Sequence, residues 1–216
     1  ITDDTRIRAT IPTIEYCLKN NCKIILISHL GRPKGQVKPN LSLKPVSECL
    51  SRMLNKPVKF IETPLSEETV KLTRDLHEGE IALFENIRFY PGEEKNDRSL
   101  GELLARHADI FINDAFAAAH RGHASNFAVT EFMDVTAAGF LLKAEIEYSH
   151  KTIQSAESPF GAIIGGAKVS SKIDVLSNII LKVDFLIIGG GMAFTFLKSK
   201  GYSIGNSLLE EELLDT

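Results

Sequence analysis

Arginine and histidine side chains follow three apolar segments that are predicted to be strands. In chain order these side chains are His29, Arg32, Arg88, His120 and Arg121. Arginine binds phosphate and carboxylate groups bidentately and keeps its charge at neutral pH. Because ligands of open α/β sheets bind at the carboxyl ends of strands, these positions predict a pocket for a small, multiply charged anion.

Each of these side chains, taken alone, has an ordinary structural explanation. A single arginine is usually solvated or ion-paired, and a single histidine near a strand end is usually hydrogen-bonded within the fold. The repetition at three consecutive strand ends favours the anion pocket, and a further arginine, Arg6, lies upstream.

A Gly-Gly turn followed by two lysines is a second candidate site. Residues 165–168 follow an apolar segment, and Lys168 and Lys172 are four residues apart, so they point the same way if this turn is helical. Glycine lets backbone N–H groups approach phosphate oxygens, and a helix N-terminus adds partial positive charge. The spacing matches neither common nucleotide fingerprint, so a phosphate site and a tight packing turn both stay open.

Three consecutive glycines, residues 189–191, follow the next apolar segment. They leave room for close backbone approach, for example to the flat face of a base. A plain crossover turn explains the same spacing equally well.

Short apolar segments alternate with amphipathic ones along the chain. The predicted strands are residues 23–28, 58–61, 81–84, 110–112, 160–164 and 185–188. Several are apolar at almost every position, as is typical of strands covered on both faces. Ser42 is predicted to cap one intervening helix, and Ser171 with Asp174 predicts a capping box at another. The alternation predicts an α/β architecture with parallel sheets.

A helix over residues 137–155 is predicted to connect two domains. Ser158-Pro159 breaks the chain after it, and a new strand–glycine–helix unit begins. Residues 1–136 are therefore predicted to form one α/β domain, and residues 156–216 the start of a second. The sequence begins at Ile1 rather than Met and stops within a predicted helix, so we expect an internal segment of a longer protein.

Composition narrows the function classes. The formal net charge of −3 argues against binding nucleic acid or a membrane surface through bulk charge. No apolar run approaches the roughly 18 residues of a membrane span, and no targeting segment is recognisable. The cysteines Cys17, Cys22 and Cys49 lack metal-ligand spacing and are predicted to be reduced residues of a cytoplasmic protein, with a reactive thiol as the alternative.

A series of motifs along the whole sequence resembles the phosphoglycerate kinase family in order and spacing. They are Thr5–Ala9, His29–Pro33, Glu85–Phe89, Pro91–Glu94, Asn113–Phe116, His120-Arg121, Gly165–Lys172 and Gly189–Phe196. The resemblance implies two Rossmann-like parallel-sheet domains joined by an interdomain helix, both incomplete in this sequence.

The same resemblance implies an activity and its site residues. The reaction would be reversible phosphoryl transfer between 1,3-bisphosphoglycerate with ADP and 3-phosphoglycerate with ATP, in a cytoplasmic monomer of glycolysis and gluconeogenesis. The implied phosphoglycerate-binding residues are Arg6, His29, Leu30, Gly31, Arg32, Arg88, His120 and Arg121. The implied nucleotide-binding residues are Gly165, Gly166, Ala167, Lys168, Lys172, Gly189, Gly190 and Gly191. Arg6 and Lys172 are implied to be catalytic, and Mg²⁺ is implied to arrive with the nucleotide.

Departures from the family pattern limit what this chain is expected to do. Ala117-Ala118 and Gly122 replace common family residues without removing the basic side chains. Ser171 stands where many members carry an acid associated with the metal, so no metal ligand is assigned in this chain. The family's Asp- and Asn-bearing motif would lie before Ile1, and its later nucleotide and metal residues after Thr216, so this chain by itself is expected to be inactive. The alternatives are a different phosphate-binding α/β enzyme and a non-catalytic fragment that retains anion or nucleotide binding.

Overall fold

A computed structural model describes residues 2–63, 65–154 and 157–215. The chain divides into two compact units, Ile1–Ile146 and Glu147–Thr216. Residues 155 and 156, where the predicted connecting helix ends and the predicted second domain begins, lie outside the described residues, so these domain limits stay a prediction. None of the helices in the described part of the chain is long and apolar enough to cross a membrane.

The first unit contains a three-stranded parallel sheet. Its strands are β1 (Ile24–Leu26), β2 (Val58–Ile61) and β3 (Ile81–Phe84), in the order β1-β3-β2. The central strand β3 is buried at all four positions. The continuous apolar run at 81–84 is thus explained by cover on both faces of the strand.

Helices α1 (Thr5–Lys19), α2 (Lys44–Leu54) and α3 (Glu67–Arg74) pack against this sheet. The same unit also contains α4 (Arg98–Ala105) and α5 (Phe116–Ala119). One core cluster joins Ile14 of α1 and Leu50 of α2 to Ile81 and Leu83 of β3. The prediction that Ser42 caps α2 is wrong, because Leu43 is the N-cap and makes no side-chain capping bond. The Ser42 hydroxyl lies one residue earlier and accepts a hydrogen bond from the Lys44 N–H at 3.2 Å.

A second pair of parallel strands in the same unit includes one strand that we did not predict. Strand β4 (Ile110–Asn113) pairs with β5 (Val135–Ala138), so that Ile112 lies opposite Ala137. The prediction that a helix begins at Ala137 is therefore wrong, because Ala137 and Ala138 belong to this ladder. Helix α6 (Phe140–Gln154) begins only after Gly139.

The second unit is built on two parallel strands. Strands β6 (Gly161–Gly165) and β7 (Phe185–Gly189) pair in register, and helices α7 (Ile173–Ile179) and α8 (Met192–Ser199) follow them. Val169, Leu176 and Met192 form the buried core of this unit.

Candidate functional site

The loops that follow β1 and β3 meet because these strands are parallel neighbours, paired from Ile24↔Ile81 to Leu26↔Leu83. Asn86, which is fully buried, ties the two loops together. Its side-chain amide donates to the carbonyl oxygens of Leu30 at 2.8 Å and Leu41 at 2.9 Å. Its Oδ1 accepts from the N–H groups of Leu30 and Arg88. These bonds fix the backbone around the predicted anion-binding residues.

Gly31 occupies a position in this frame that suits glycine. Its φ is +64°, in the left-handed region, and a Cβ at this position would lie 2.9 Å from Leu41 Cδ2. Its carbonyl oxygen accepts a hydrogen bond from Arg88 Nη1 at 2.8 Å. The conformation of Gly31 therefore helps to position Arg88.

Arg88 is a buried cation with incomplete pairing. Its side chain is only 4% exposed. Its Nε lies 3.5 Å from Oε1 of the exposed Glu94 carboxylate, and this distance is longer than that of a good hydrogen bond. Nε and Nη2 are shielded from solvent and have no hydrogen-bond partner among the described residues. Unpaired buried donors are costly, so an acidic ligand that reached this guanidinium would remove an existing penalty.

The lowered pKa of His29 reflects desolvation and the positive charges that surround it. Partial desolvation, reinforced by the positive charges of Arg88, Arg121, His123 and Arg6, lowers the pKa of His29 to about 4. The ring lies at the exposed rim and is neutral at physiological pH. We call Arg6, His29, Arg88, Arg121 and His123 the basic cluster.

A network from the end of β4 positions Arg121. The Asn126 side chain donates to the carbonyl oxygens of Ala118 at 3.0 Å and Arg121 at 2.7 Å. Asn113, the last residue of β4, donates in turn to Asn126 Oδ1. This network holds the turn after α5 in place, and no feature of the sequence marks Asn126 for that task.

His123 belongs to the basic cluster but was missing from the residues inferred from sequence. Its Nδ1 lies 3.6 Å from Glu93 Oε1. Glu93 is 2% exposed and accepts from the Ser125 N–H at 2.9 Å and the Ser125 hydroxyl at 2.7 Å. The repetition of histidine at 120 and 123 is the signal that could have identified it.

The remaining predicted residues of the first unit lie around this cluster. Arg6, in the first turn of α1, is exposed, yet its charge reaches His29. Leu30, Arg32 and His120 lie on the converging loops with exposed side chains. Within the described residues, the structure gives Arg32 and His120 no hydrogen bond or ion pair to the basic cluster.

In the second unit, the glycine loops after β6 and β7 lie side by side, with Gly165 opposite Gly189. Gly190 has a φ of +72°, and a Cβ there would lie 2.7 Å from the carbonyl oxygen of Gly166. That oxygen accepts from the Met192 N–H at 2.9 Å. A packing role thus accounts for Gly190, whereas a Cβ at Gly189 would meet no described atom within 4 Å.

Lys168 and Lys172 lie on an exposed turn that precedes α7. Residues 168–172 are not helical, so the condition under which the two lysines would point the same way is not met. The predicted capping box is also wrong. The Ser171 hydroxyl donates to the Lys168 carbonyl oxygen at 2.9 Å, and residue 172 is the N-cap, without a side-chain bond.

Glu210 holds this turn from a distant part of the chain. Its carboxylate accepts from the N–H groups of Val169 and Ser170 and, at 2.6 Å, from the Ser170 hydroxyl. The hydrogen bond from the Ser170 side chain is the main cause of a lowered pKa of Glu210, and Lys168 adds to it. The N–H groups of Val169 and Ser170 are therefore already bonded, which leaves the lysines as the exposed cationic groups of the turn.

No group of three or more His, Cys, Asp or Glu side chains in the described part of the chain could hold a metal ion.

The family of the chain follows from its similarity to known proteins. A family model described as phosphoglycerate kinase matches residues 1–216.

The chain belongs to the phosphoglycerate kinase family.

Relatives named phosphoglycerate kinase support this assignment. The protein of Geotalea uraniireducens (strain Rf4) is 52% identical over 216 residues, which are 100% of this chain and 54% of the relative. The protein of Geobacter metallireducens is 54% identical over 215 residues, with the same two coverages. The chain thus spans about half the length of the curated relatives that it matches.

Solved structures of phosphoglycerate kinases show the same fold. The structure from Coxiella burnetii has a TM-score of 0.85 at 42% identity and covers 100% of this chain and 54% of that one. The structure from Pyrococcus horikoshii OT3 has a TM-score of 0.80 at 30% identity, with 95% and 52% covered. The resemblance and the α/β fold class inferred from sequence are confirmed, whereas the assigned site residues stay predictions.

Proposed function

We propose that this chain supplies parts of both substrate sites for reversible phosphoryl transfer between 1,3-bisphosphoglycerate with ADP and 3-phosphoglycerate with ATP. The buried Arg88 guanidinium carries the proposal, because two of its nitrogens have no hydrogen-bond partner in the described structure and it lies within a cluster of positive charges. Such a group suits a phosphorylated carboxylic acid. The family match supports this reaction class over another phosphate-binding α/β enzyme.

In the first unit, the basic cluster would bind phosphoglycerate. Arg88 and Arg121 would supply charge, and a neutral His29 would supply a hydrogen bond. The acceptor of the phosphoryl group is a carboxylate that is already ionised at neutral pH. No general base is required, and positioning with electrostatic stabilisation accounts for the chemistry. Arg6 would stabilise the charge of the transferred group.

In the second unit, the turn held by Glu210 would present Lys168 and Lys172 to the nucleotide phosphates. Gly189 would lie beside the base, where the structure leaves space. Lys172 would also stabilise charge in transfer. Mg²⁺ would accompany the nucleotide and neutralise part of its charge, with no metal ligand assigned to this chain. We place the reaction in glycolysis and gluconeogenesis, in a cytoplasmic monomer.

Separate calorimetric titrations of the chain with 3-phosphoglycerate and with ADP test the two half-sites. We expect Arg88→Leu to abolish 3-phosphoglycerate binding and to leave ADP binding unchanged. Arg52→Leu, at an exposed position of α2, is the matched control. Equal affinity of Arg88→Leu and the unsubstituted chain for 3-phosphoglycerate, with both folded, would contradict the proposed site.

Catalysis is tested in a chimera in which residues 1–216 replace the matching segment of the Geobacter metallireducens relative. We expect ATP consumption that depends on 3-phosphoglycerate. We expect Arg6→Ala to reduce the rate on the order of 10²-fold, as for the loss of one preorganised donor. A folded chimera that binds both ligands without turnover would instead support the alternative, a non-catalytic binding fragment. This alternative is favoured by one observation, that the chain covers only 54% of the length of the relative from Geotalea uraniireducens.

A further inference from the structure

The C-terminus of α1 brings two cysteines together. The Cys22 N–H donates to the Cys17 carbonyl oxygen at 3.1 Å, and the Asn21 N–H donates to the Leu18 carbonyl oxygen at 3.1 Å. Asn21 has a φ of +57°, in the left-handed region. These two hydrogen bonds and this backbone conformation define a Schellman cap. In such a cap, the side chains at the two positions that Cys17 and Cys22 occupy commonly contact each other.

The thiols have the surroundings expected of a dithiol that reagents can reach. Both Cys17 and Cys22 are partly exposed, whereas Cys49 is buried. Both side chains pack against the same hydrophobic cluster of the first unit. Burial is the main cause that raises the pKa of Cys17, and the neighbouring Cys22 side chain raises it further. The Cys22 Sγ also lies 3.7 Å from the Asn20 carbonyl oxygen.

We propose that Cys17 and Cys22 are a site of reversible oxidation, at which a small peroxide closes a disulfide across the C-terminal cap of α1. The site is separate from the proposed phosphoryl-transfer chemistry and does not depend on it. Cys17 lies in the last turn of α1 and Cys22 lies just after it. The disulfide would therefore link the end of the helix to the segment that leads into β1.

The reaction balances with peroxide as the only co-reactant. The Cys22 sulfur is assigned as the attacking group, because the raised pKa of Cys17 disfavours the thiolate at that position. Its sulfur attacks one peroxide oxygen, the O–O bond breaks, and the departing oxygen leaves as water or alcohol after protonation. The Cys17 sulfur then attacks the Cys22 sulfenic acid, the S–S bond forms, and the S–O bond breaks with loss of water. Two electrons pass from the thiols to the peroxide.

Peroxide treatment of the folded chain, followed by thiol alkylation and non-reducing peptide mapping, tests the proposal. We expect the loss of two alkylatable thiols, a linked pair of peptides that contain Cys17 and Cys22, and full recovery with dithiothreitol. Cys49→Ser is the matched control and should behave like the unsubstituted chain. In Cys17→Ser, Cys22 should accumulate as a sulfenic acid that dimedone traps. Thiols at 17 and 22 that stay alkylatable, or a linkage that involves Cys49, would overturn the proposal.

A second variant separates the role of the cap from simple proximity in sequence. Asn21→Val disfavours the left-handed conformation on which the cap depends, since β-branched residues rarely adopt it. Asn55→Val makes the same change at φ +48° after α2 and is the control. We expect slower linkage of Cys17 to Cys22 only in Asn21→Val. Linkage as fast as in the unsubstituted chain would contradict the geometric basis of the site.

Discussion

Arg88 and Asn86 are buried polar residues with opposite hydrogen-bonding states. Asn86 bonds to three backbone groups of two other segments and to the Arg88 N–H, whereas Arg88 keeps two unpaired guanidinium nitrogens among the described residues. Asn86 thus stabilises the two loops, whereas the unpaired nitrogens of Arg88 carry a desolvation penalty that an acidic ligand would remove. At the scale of single residues, this contrast separates structural from ligand-binding polar groups.

The pKa of His29 provides a direct test of ligand binding to the basic cluster. Desolvation is the main cause that lowers this pKa to about 4, and the neighbouring positive charges add to it. A bound phosphoglycerate would offset those charges, so we expect the pKa of His29 to rise on saturation with 3-phosphoglycerate. The histidine resonances in an NMR pH titration report the change, with exposed His77 as internal control. An unchanged pKa of His29 at saturation would place the ligand elsewhere.

Gly31 and Gly79 separate backbone strain from steric contact. Both have positive φ, but only at Gly31 would a Cβ meet a neighbour, Leu41, within 4 Å. We expect Gly79→Ala to lower the free energy of unfolding by about 1 kcal/mol through the backbone alone. Gly31→Ala should cost about 1 kcal/mol more, because Leu41 must shift as well. Urea denaturation of both variants measures the difference, and equal losses would exclude the contact with Leu41 as a cost.

At the scale of elements, loops at strand ends acquire their geometry from partners distant in sequence. Glu210 lies 40 residues beyond Ser170, yet its carboxylate accepts hydrogen bonds from backbone N–H groups of the turn that contains Ser170. Asn126 acts in the same way on the turn that carries Arg121. The strands bring these loops to one edge of each sheet, and the distant side chains then determine their conformation.

Replacement of Glu210 tests whether it holds the lysine turn. In Glu210→Gln, the charge-assisted hydrogen bonds become neutral, and we expect amide hydrogen exchange at Val169 and Ser170 to accelerate roughly fivefold. The folded pKa of Glu210 is lowered, so its stabilising contribution is present above the unfolded value and is lost as pH falls through the folded one. Glu211→Gln, at an exposed neighbouring position, is the control. Equal exchange in the two variants would show that Glu210 does not hold the turn.

At the scale of the whole molecule, the first unit contains a buried histidine that makes it sensitive to acid. His107 is 3% exposed, its Nδ1 lies 2.8 Å from the Thr73 hydroxyl, and its Nε2 has no partner in the described structure. Burial is the main cause that lowers the pKa of His107 to about 4, with Arg74 and Arg106 adding to it and Glu67 opposing. Protonation would place an unpaired charge in the core.

We therefore expect the first unit to lose stability as pH falls from about 6.5 towards 4. The unfolded state binds the proton more readily in this window, and the full loss amounts to about 3 kcal/mol. His107→Leu should flatten this dependence, and His77→Gln, at an exposed position, should preserve it. Denaturant titrations at pH 7 and pH 5 measure the effect. The same pH dependence in both variants would rule out His107 as its source.

Local pattern determined much of this protein. The continuous apolar run at 81–84 predicted β3 with the bounds that the structure shows, because a strand buried on both faces needs apolar residues throughout. The bounds of β2 were also predicted, from branched and aromatic residues on either side of the exposed Lys59. The family motifs marked the glycine turns and the arginines at strand ends. These features depend on composition and short spacing, which a sequence displays directly.

Only the tertiary structure decided the contacts between distant segments. Strand β5 exists because Val135–Ala138 pair with β4, although all four of its residues are exposed and carry little apolar signal. The capping box predicted at Ser171 is absent, because the Ser171 hydroxyl donates to the Lys168 carbonyl oxygen and the helix begins one residue later, after Lys172. Arg6, Arg88 and Arg121 are far apart in sequence, and the fold brings their charges together at His29 from helix α1 and from loops that follow strands. The sequence by itself determined which residue types end each strand, whereas which of them meet depends on strand pairing, since hydrogen bonds between segments leave no local pattern.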